Sequence, residues 1–342
     1  MTDPSLPSEP AIDVALLMLL LEASGPMRAV DLARHFNRTR DDIVQGLDDL
    51  QRAGVCFEGS ADAGLVLVEA GLNVWLDYLQ LRFGYSRPMQ VYRATRSTQD
   101  VCRQLVQTRG RSAHGGVVVA DEQSAGRGRL GRRWQAPAGT AVMFSLVHCM
   151  SDNRNSASTN ANEGTVERVT FATSVALATA LERWLRPAGA NVMIRWPNDL
   201  YVQDEKLGGI LVETMQIGTM RAAIIGVGLN VALVGESLDA ARRDCGTAIT
   251  SVQACGGRAP RLAILGDAIA SLDAHLTGHT RDEMLQHWRS RSTLLGQYVT
   301  LQCAGRTISG TVVDLDPDAG LIVRTDHGAL THLPAANTTL VA

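Results

Sequence analysis

The 342-residue sequence is poor in aromatic residues, at 4%, and none of its six cysteines forms a C-x-x-C pair. Cys56, Cys102, Cys149, Cys245, Cys255 and Cys303 are scattered through the chain, which suits neither a disulfide framework nor a zinc site and predicts reduced, mostly buried thiols. No apolar run reaches the roughly 20 residues of a membrane helix. The segment MTDPSLPSEPAID is acidic and proline-bearing, so the short apolar run behind it has no basic flank and is no signal peptide. A formal charge of −3 is too small to predict a nucleic-acid or membrane partner by itself. These absences point to a cytoplasmic protein with no membrane partner.

What is present is ordinary globular composition, 45% apolar and 20% charged, in a chain long enough for two or three units. Residues 11–23 carry a helical pattern stopped by Gly25-Pro26. A second short helix covers Ala29 to Phe36, and a third runs to about Arg52, opened by Thr39 and Asp42 at capping-box spacing. Ile43, Leu47 and Leu50 fall on one face of that helix. The alternating segment VCFEGSADAGLVLV then reads as a β-hairpin, so residues 1–85 resemble a winged helix-turn-helix with a linker. Residues 1–70 nevertheless hold five arginines and no lysine against twelve acidic residues, a net of −7 that phosphate backbones repel. The expectation is a fold retained without strong DNA binding, with Arg38 and Arg40 as the candidate phosphate contacts.

From about residue 86 strands and helices alternate. GGVVVA at 115–120, AVMFSLVHC at 141–149, NVMIRW at 191–196, KLGGILVET at 206–214 and RAAIIGVGLNV at 221–231 read as strands, with a helix from Val166 to Leu185. Residues 151–165, rich in Ser and Asn, read as an exposed loop. Beyond Leu294 the short β segments QYVTLQC, TISGTVVDLD, GLIVRT and ALTHLP suggest a small β-barrel over 293–342.

GRGRLG at 126–131 matches G-x-G-x-x-G, yet it fails the structural requirements of a dinucleotide site. The strand GGVVVA ends five residues too early, and Arg132-Arg133-Trp134 followed by Pro137 and Gly139 leaves no helix N-terminus for a pyrophosphate. What remains is a flexible loop bearing Arg127, Arg129, Arg132 and Arg133. Four guanidinium groups repel one another unless an anion settles among them, although an isolated loop of this kind is more often a solvated turn.

A second motif, RWPNDLYVQDEKLGGILVET at 195–214 followed by GVGLN at 226–230, changes the weighing. Together with DEQSAGRGRLGRRW it closely resembles the biotin protein ligases, which activate biotin with ATP and attach it to a carrier lysine. The resemblance covers nearly the whole chain. It implies a class II synthetase-like α/β core with a mixed sheet over 86–292, an SH3-like barrel over 293–342, and the N-terminal winged helix of the subset that also represses the biotin operon.

It also implies roles. Lys206 contacts the biotin carboxylate and α-phosphate in both half-reactions, in a chain with few lysines. Arg127, Arg129 and Arg132 stabilise charge developing on phosphate, and Gly126, Gly128 and Gly131 let the loop fold over biotin and shield the acyl-adenylate. Ser97, Thr98 and Gln123 hold the ureido ring, Gly208 and Gly209 admit the acyl chain, and Trp134 packs against the loop. Asn198 and Asp199 orient the nucleotide and Mg²⁺, or merely build a turn; Asp199 alternatively eases deprotonation of the acceptor lysine. Asn230 is an adenylate-side contact. Two positions depart from the usual family pattern, Gln99 where Asn is customary and Arg195 where Lys more often precedes WPND. The implied partners are ATP, the biotin carboxyl carrier protein of acetyl-CoA carboxylase, operator DNA and a second copy of the chain. Lipoate-type ligation, and a biotin-sensing regulator with little ligase activity, are the alternatives.

Overall fold

In the computed structural model of the protein, which describes residues 12–23, 25–150, 165–245, 248–258, 260–278, 280–335 and 338–341, the chain divides into two compact units. The first comprises residues 1–91 with 259–266. Its helix α1 (Val14–Glu22) opens on Asp13, which accepts from the Leu16 amide, and α2 (Ala29–Phe36) closes on Asn37 in the left-handed conformation. Helix α3 (Arg40–Arg52) begins with the complete reciprocal capping box of Thr39 and Asp42. The hairpin β1 (Val55–Ser60) and β2 (Gly64–Ala70) follows as expected, antiparallel, and leads into α4 (Trp75–Phe83). Leu16, Leu17, Leu20, Leu32, Ile43, Leu50, Trp75 and Tyr78 are buried. Each large aliphatic among them contributes roughly 1.5–3 kcal/mol relative to exposure, which is why helices this short persist.

The two arginines assigned to phosphate contact are already engaged in this unit. Arg38 donates to Asp13, and Arg40 lies 2.6 Å from Asp62. Each guanidinium thus carries its own carboxylate, consistent with the acidic charge count.

The second unit comprises 92–258 with 267–342. Strand β3 (Met89–Thr95) enters it, followed by α5 (Thr98–Arg109), β4 (Val117–Gln123), β5 (Ala141–Met150) and α6 (Val166–Leu185). Then come β6 (Val192–Arg195), β7 (Asp199–Val202), β8 (Glu205–Ile217) and β9 (Met220–Asn230), with α7 (Gly235–Cys245), α8 (Arg261–Thr277) and α9 (Arg281–Arg289) after them. The seven strands form one sheet in the order β3-β4-β5-β9-β8-β7-β6. Cys102, Leu105 and Val106 of α5 pack on Val118, Val147, Ala222 and Ile224 of the sheet. Helix α6 has exactly the bounds its periodicity predicts and is buried over most of its length, packing on β6, β8 and β9.

A second antiparallel sheet closes the chain: β10 (Tyr298–Cys303), β11 (Arg306–Asp316), β12 (Gly320–Thr325), β13 (Leu330–Leu333) and β14 (Thr338–Leu340), in the order β13-β12-β11-β10-β14. The four expected segments are its first four strands, and β14 is additional.

Two expectations need correction, and one falls almost wholly outside the described residues. Strand β4 does not stop at Ala120 but runs to Gln123, with the Asp121 carboxylate accepting from the Gly139 amide at 3.0 Å and the Gln123 side chain from the Thr98 amide at 2.9 Å. The loop assigned to 151–165 lies, but for Thr165, outside the described residues, and Thr165 is the N-cap of α6. The thiols are not mostly buried: among the described side chains only Cys102 is buried, where desolvation pushes it up to about 12, while Cys56 is exposed and Cys149, Cys255 and Cys303 are intermediate and free.

Candidate active site

Strand β9 carries glycine at two positions of one face, Gly226 and Gly228, and both are occupied from above. A Cβ at 228 would overlap the Trp134 indole, and a Cβ at 226 would overlap the Gln99 amide. Glycine inside a buried strand commonly marks such a close approach. Across the ladder, Gly226 pairs with Leu211 and with Ser145, and Gly228 pairs with Gly209 and with Met143. The two seats are one pleat repeat apart, about 7 Å along the strand. They form the floor of a cavity of about 400 Å³.

The end of the cavity over Gly226 is polar and uncharged. The Thr98 backbone amide donates to the Gln123 side-chain carbonyl oxygen at 2.9 Å, and the Thr98 hydroxyl meets that of Ser145 at 2.7 Å. The Gln123 amide also donates to the Met143 sulfur at 3.3 Å. Ser97 is the N-cap residue of α5 without using its side chain to cap it, and lies on the cavity wall almost completely buried.

The end over Gly228 is charged. Lys206 Nζ stands 2.7 Å from Asp199 Oδ1, both side chains being about three-quarters buried. This contact follows from the β7–β8 hairpin, where Asp199 pairs with Gly209 and a bulge at Leu200/Tyr201 brings Lys206 opposite Tyr201. Gly209 has no side chain to intrude: its missing Cβ would stand 3.4 Å from Asp199 and Trp134 and 3.5 Å from the Lys206 stem. Lys206 is the only lysine in the entire sequence.

The arginine loop hangs beside this end as a small hairpin. The Trp134 amide donates to the Gly126 carbonyl at 3.0 Å and the Gly128 amide to the Arg132 carbonyl at 2.8 Å, with Leu130 at the tip in left-handed backbone and 62% exposed. Arg129 donates to Asn198 Oδ1 at 3.2 Å and to the Ala335 carbonyl. Burial pulls its guanidinium below the ordinary arginine value, Asp199 opposing the shift and Arg132 adding to it. Arg127 is held by Asp100 at 2.8 Å and Glu213 at 3.3 Å, and the hydrogen bond to Asp100 leads the causes that raise it. Arg195, the departure from the customary lysine, lies 3.8 Å over the Tyr201 ring, a planar stacking that lysine does not reproduce.

Of the residues picked from sequence, Ser97, Thr98, Gln123, Arg127, Gly128, Arg129, Arg132, Trp134, Asn198, Asp199, Lys206 and Gly209 all line this one cavity. Four do not. Gly126 belongs to the base of the loop, Gly131 follows its exposed tip residue Leu130, Gly208 is packed on Leu229 and the Gly228 carbonyl, and the Asn230 amide donates to the Thr250 carbonyl at 3.0 Å. Sequence reasoning passed over Gly226 and Gly228, whose signal was alternation of glycine within an apolar strand. It also passed over Thr338, Thr339 and Leu340 of β14, which line the cavity from the C-terminal sheet and carry no recognisable motif.

Comparison with known proteins agrees with this geometry. The model of the Biotin/lipoate A/B protein ligase family matches residues 91–230. A "Bifunctional ligase/repressor BirA" of Bacillus spizizenii is 24% identical over 85% of this chain and 86% of its own. A "Biotin--[acetyl-CoA-carboxylase] ligase" of Paracoccus denitrificans is 30% identical over 64% of this chain and 88% of its own. Among solved structures, the biotin protein ligase of Aquifex aeolicus in complex with biotin and ATP superposes with a TM-score of 0.57 at 23% identity, covering 74% of this chain and 98% of that one, a likeness of fold. The 30% identical relative is covered over 88% of its own length, and the family model runs from the strand before Ser97 to Asn230, through most of the residues that build the cavity, so the chain belongs to the biotin/lipoate A/B protein ligase family.

Proposed function

We infer that the protein is an ATP-dependent biotin protein ligase, which forms biotinyl-5′-AMP and then transfers biotin to a lysine of a biotin carboxyl carrier protein. The observation that carries this reading is the two-ended cavity. Neutral hydrogen-bonding groups of Ser97, Thr98 and Gln123 sit over one glycine seat, and Lys206, Arg129 and Arg132 gather around the other. A ligand with a cyclic urea at one end and a carboxylate at the other matches that polarity.

In the first step a carboxylate oxygen attacks the α-phosphorus, the phosphoanhydride bond to the leaving pyrophosphate breaks, and charge accumulates on the phosphoryl oxygens. Lys206 holds the carboxylate and α-phosphate together, and Arg129 and Arg132 supply fixed positive charge where the negative charge grows. Arg127 reaches the anion by exchanging Asp100 and Glu213 for it. In the second step the carrier amine attacks the acyl carbonyl, AMP leaves, and the amine must lose a proton, which Asp199 is placed to accept. Folding of the 126–133 loop over the adenylate excludes water in the interval. Asp199 offers one carboxylate beside the phosphate end, and among the described residues no cluster of three His, Cys, Asp or Glu forms a cage. That donor set fits Mg²⁺ carried in by ATP: Asp199 would help to hold the ion, which would offset phosphate charge.

The domain reading is a winged helix-turn-helix over 1–85, a catalytic core over 86–292 and an SH3-like barrel over 293–342. The repressor half of the bifunctional relatives' name motivates a second activity in the N-terminal unit. A mobility-shift titration on biotin-operon DNA over a salt series tests it, and absence of binding at low salt removes it. For the ligase, the decisive measurement is biotin-dependent pyrophosphate release from ATP and Mg²⁺, followed by a streptavidin blot of a purified carrier domain. Release with lipoate and none with biotin would overturn the assignment.

A further inference from the structure

The two edges of β8 hold Lys206 by different means. Toward β7 the ladder is irregular, with a bulge between the pairs Leu200–Gly208 and Tyr201–Lys206. A bulge re-aims side chains and disrupts the local pairing, so this edge does not by itself fix where the lysine stem points. On the other edge the ladder with β9 ends at the pair Gly208–Leu229. Beyond it the neighbour of β8 is the segment 248–250, which makes a parallel bridge between Ile249 and Lys206. The Lys206 amide donates to the Ala248 carbonyl and the Thr250 amide to the Lys206 carbonyl, both at 2.9 Å.

Two side chains tie that segment down. From the end of β9, Asn230 Nδ2 donates to the Thr250 carbonyl at 3.0 Å. From α7, Arg242 Nε donates to the Ile249 carbonyl at 2.9 Å, while its Nη2 donates to the carboxylate of Glu205, the residue before Lys206. Asp239, one turn earlier on α7, lies 3.7 Å from the same guanidinium. The planar fork thus spans the segment and the strand with which the segment must align, serving both acceptors at once. Ile249 is buried against Leu233 and Leu238, with Ala241 of α7 packed on that cluster, which seats the helix where its arginine reaches both. Neither Arg242 nor Glu205 lines the cavity, so an effect of either on the reaction must pass through Lys206.

We propose that Arg242 is a positioning residue for the ligation chemistry: by joining Glu205 to the Ile249 carbonyl it aligns the 248–250 segment along β8 and sets the direction from which Lys206 Nζ enters the charged end of the cavity. The assignment rests on the role given to Lys206 above. A reacting group displaced by about 1 Å can cost about 100-fold in rate, so a staple outside the cavity has kinetic weight.

Because Lys206 is the only lysine, the full chain labelled with ¹⁵N-lysine gives a single lysine backbone amide resonance. Its exchange with deuterium reads the bond to Ala248 without reference to activity. Arg242→Met keeps the stem and removes both donors. It should speed that exchange about tenfold and lower kcat for biotin-dependent pyrophosphate release about tenfold, while KM for biotin stays within about twofold. Arg242→Lys can satisfy one acceptor at a time and should fall between, and Glu205→Gln, which leaves α7 unaltered, should change both readouts in the same direction. The Arg242 and Glu205 side chains are each 36% exposed, and pairs so exposed add little stability, so melting temperatures should move by no more than about 3 °C. Added to Lys206→Ala, Arg242→Met should cost little more than Lys206→Ala alone. Unchanged exchange in both Arg242→Met and Glu205→Gln, faster exchange with unaltered kcat, or a full further tenfold loss in the Lys206→Ala background would overturn the proposal and leave the ligase standing. No biotin-dependent release by the unaltered protein would overturn both.

Discussion

At the scale of the residue, Lys206 concentrates the chemistry. It is three-quarters buried, ion-paired to Asp199, and without a second lysine anywhere in the chain to substitute for it. Lys206→Ala is expected to reduce biotin-dependent pyrophosphate release about 100-fold, the usual loss when one preorganised donor to a developing charge is removed. The melting temperature should change little, because a partly exposed pair contributes only about 0–1 kcal/mol. Lys206→Arg should not restore full activity, since a planar fork replaces a point charge beside Gly209. Full pyrophosphate release from Lys206→Ala would make the lysine structural. Residues such as Lys206, Arg129 and Thr98 were legible because their motifs are long. The placement of Asn230 was not legible, because a motif's last letter does not reveal where its amide points, and here it donates to the Thr250 carbonyl.

At the scale of the element, strand β5 links the site to a titrating group at its far end. Ser145 and Met143 serve the uncharged end of the cavity, and His148, 3% exposed, faces His114, its Nε2 having no hydrogen-bond partner among the described residues. Burial, aided by His114, lowers His148 from 6.5 to about 4. A histidine with a depressed folded-state pKa is neutral when folded, so its contribution to stability is complete above about 6.5 and is lost as pH falls toward 4, by about 3 kcal/mol. His148→Leu should therefore flatten the fall in thermal stability between pH 6.5 and 4 relative to the unaltered protein. Identical slopes would show that other groups carry that acid sensitivity. Helix α6 and the Thr39–Asp42 capping box could be read from sequence because they rest on local periodicity and local hydrogen bonds. Strand β14 and the glycine seats could not, because their meaning lies in long-range pairing: β14 is three residues joined to β10, and Gly226 has a role only once Gln99 is folded onto it.

At the scale of the whole molecule, one feature of composition bears directly on the reaction. A biotinyl-adenylate acylates amines, and this chain carries 31 arginines and a single lysine. Arginine stays protonated at working pH and is not a nucleophile toward the mixed anhydride. Arg129 bridges the loop to Asn198 and to the C-terminal sheet at Ala335, so Arg129→Gly cuts both ties and opens the cavity beside the adenylate. Released adenylate should then label lysines of any added protein without regard to sequence, while the enzyme itself, whose one lysine is paired with Asp199, takes up almost none. The measurement is a streptavidin blot of Arg129→Gly with biotin, ATP and a lysine-rich bystander such as serum albumin. Strong bystander signal beside a blank enzyme band is the expected result, and introducing a lysine on the exposed loop tip, Leu130→Lys, should create that missing band. Bystander labelling no greater than with unaltered enzyme would show that the arginine does not retain the intermediate. Equal labelling of enzyme and bystander would show that something other than lysine accepts biotin on this surface.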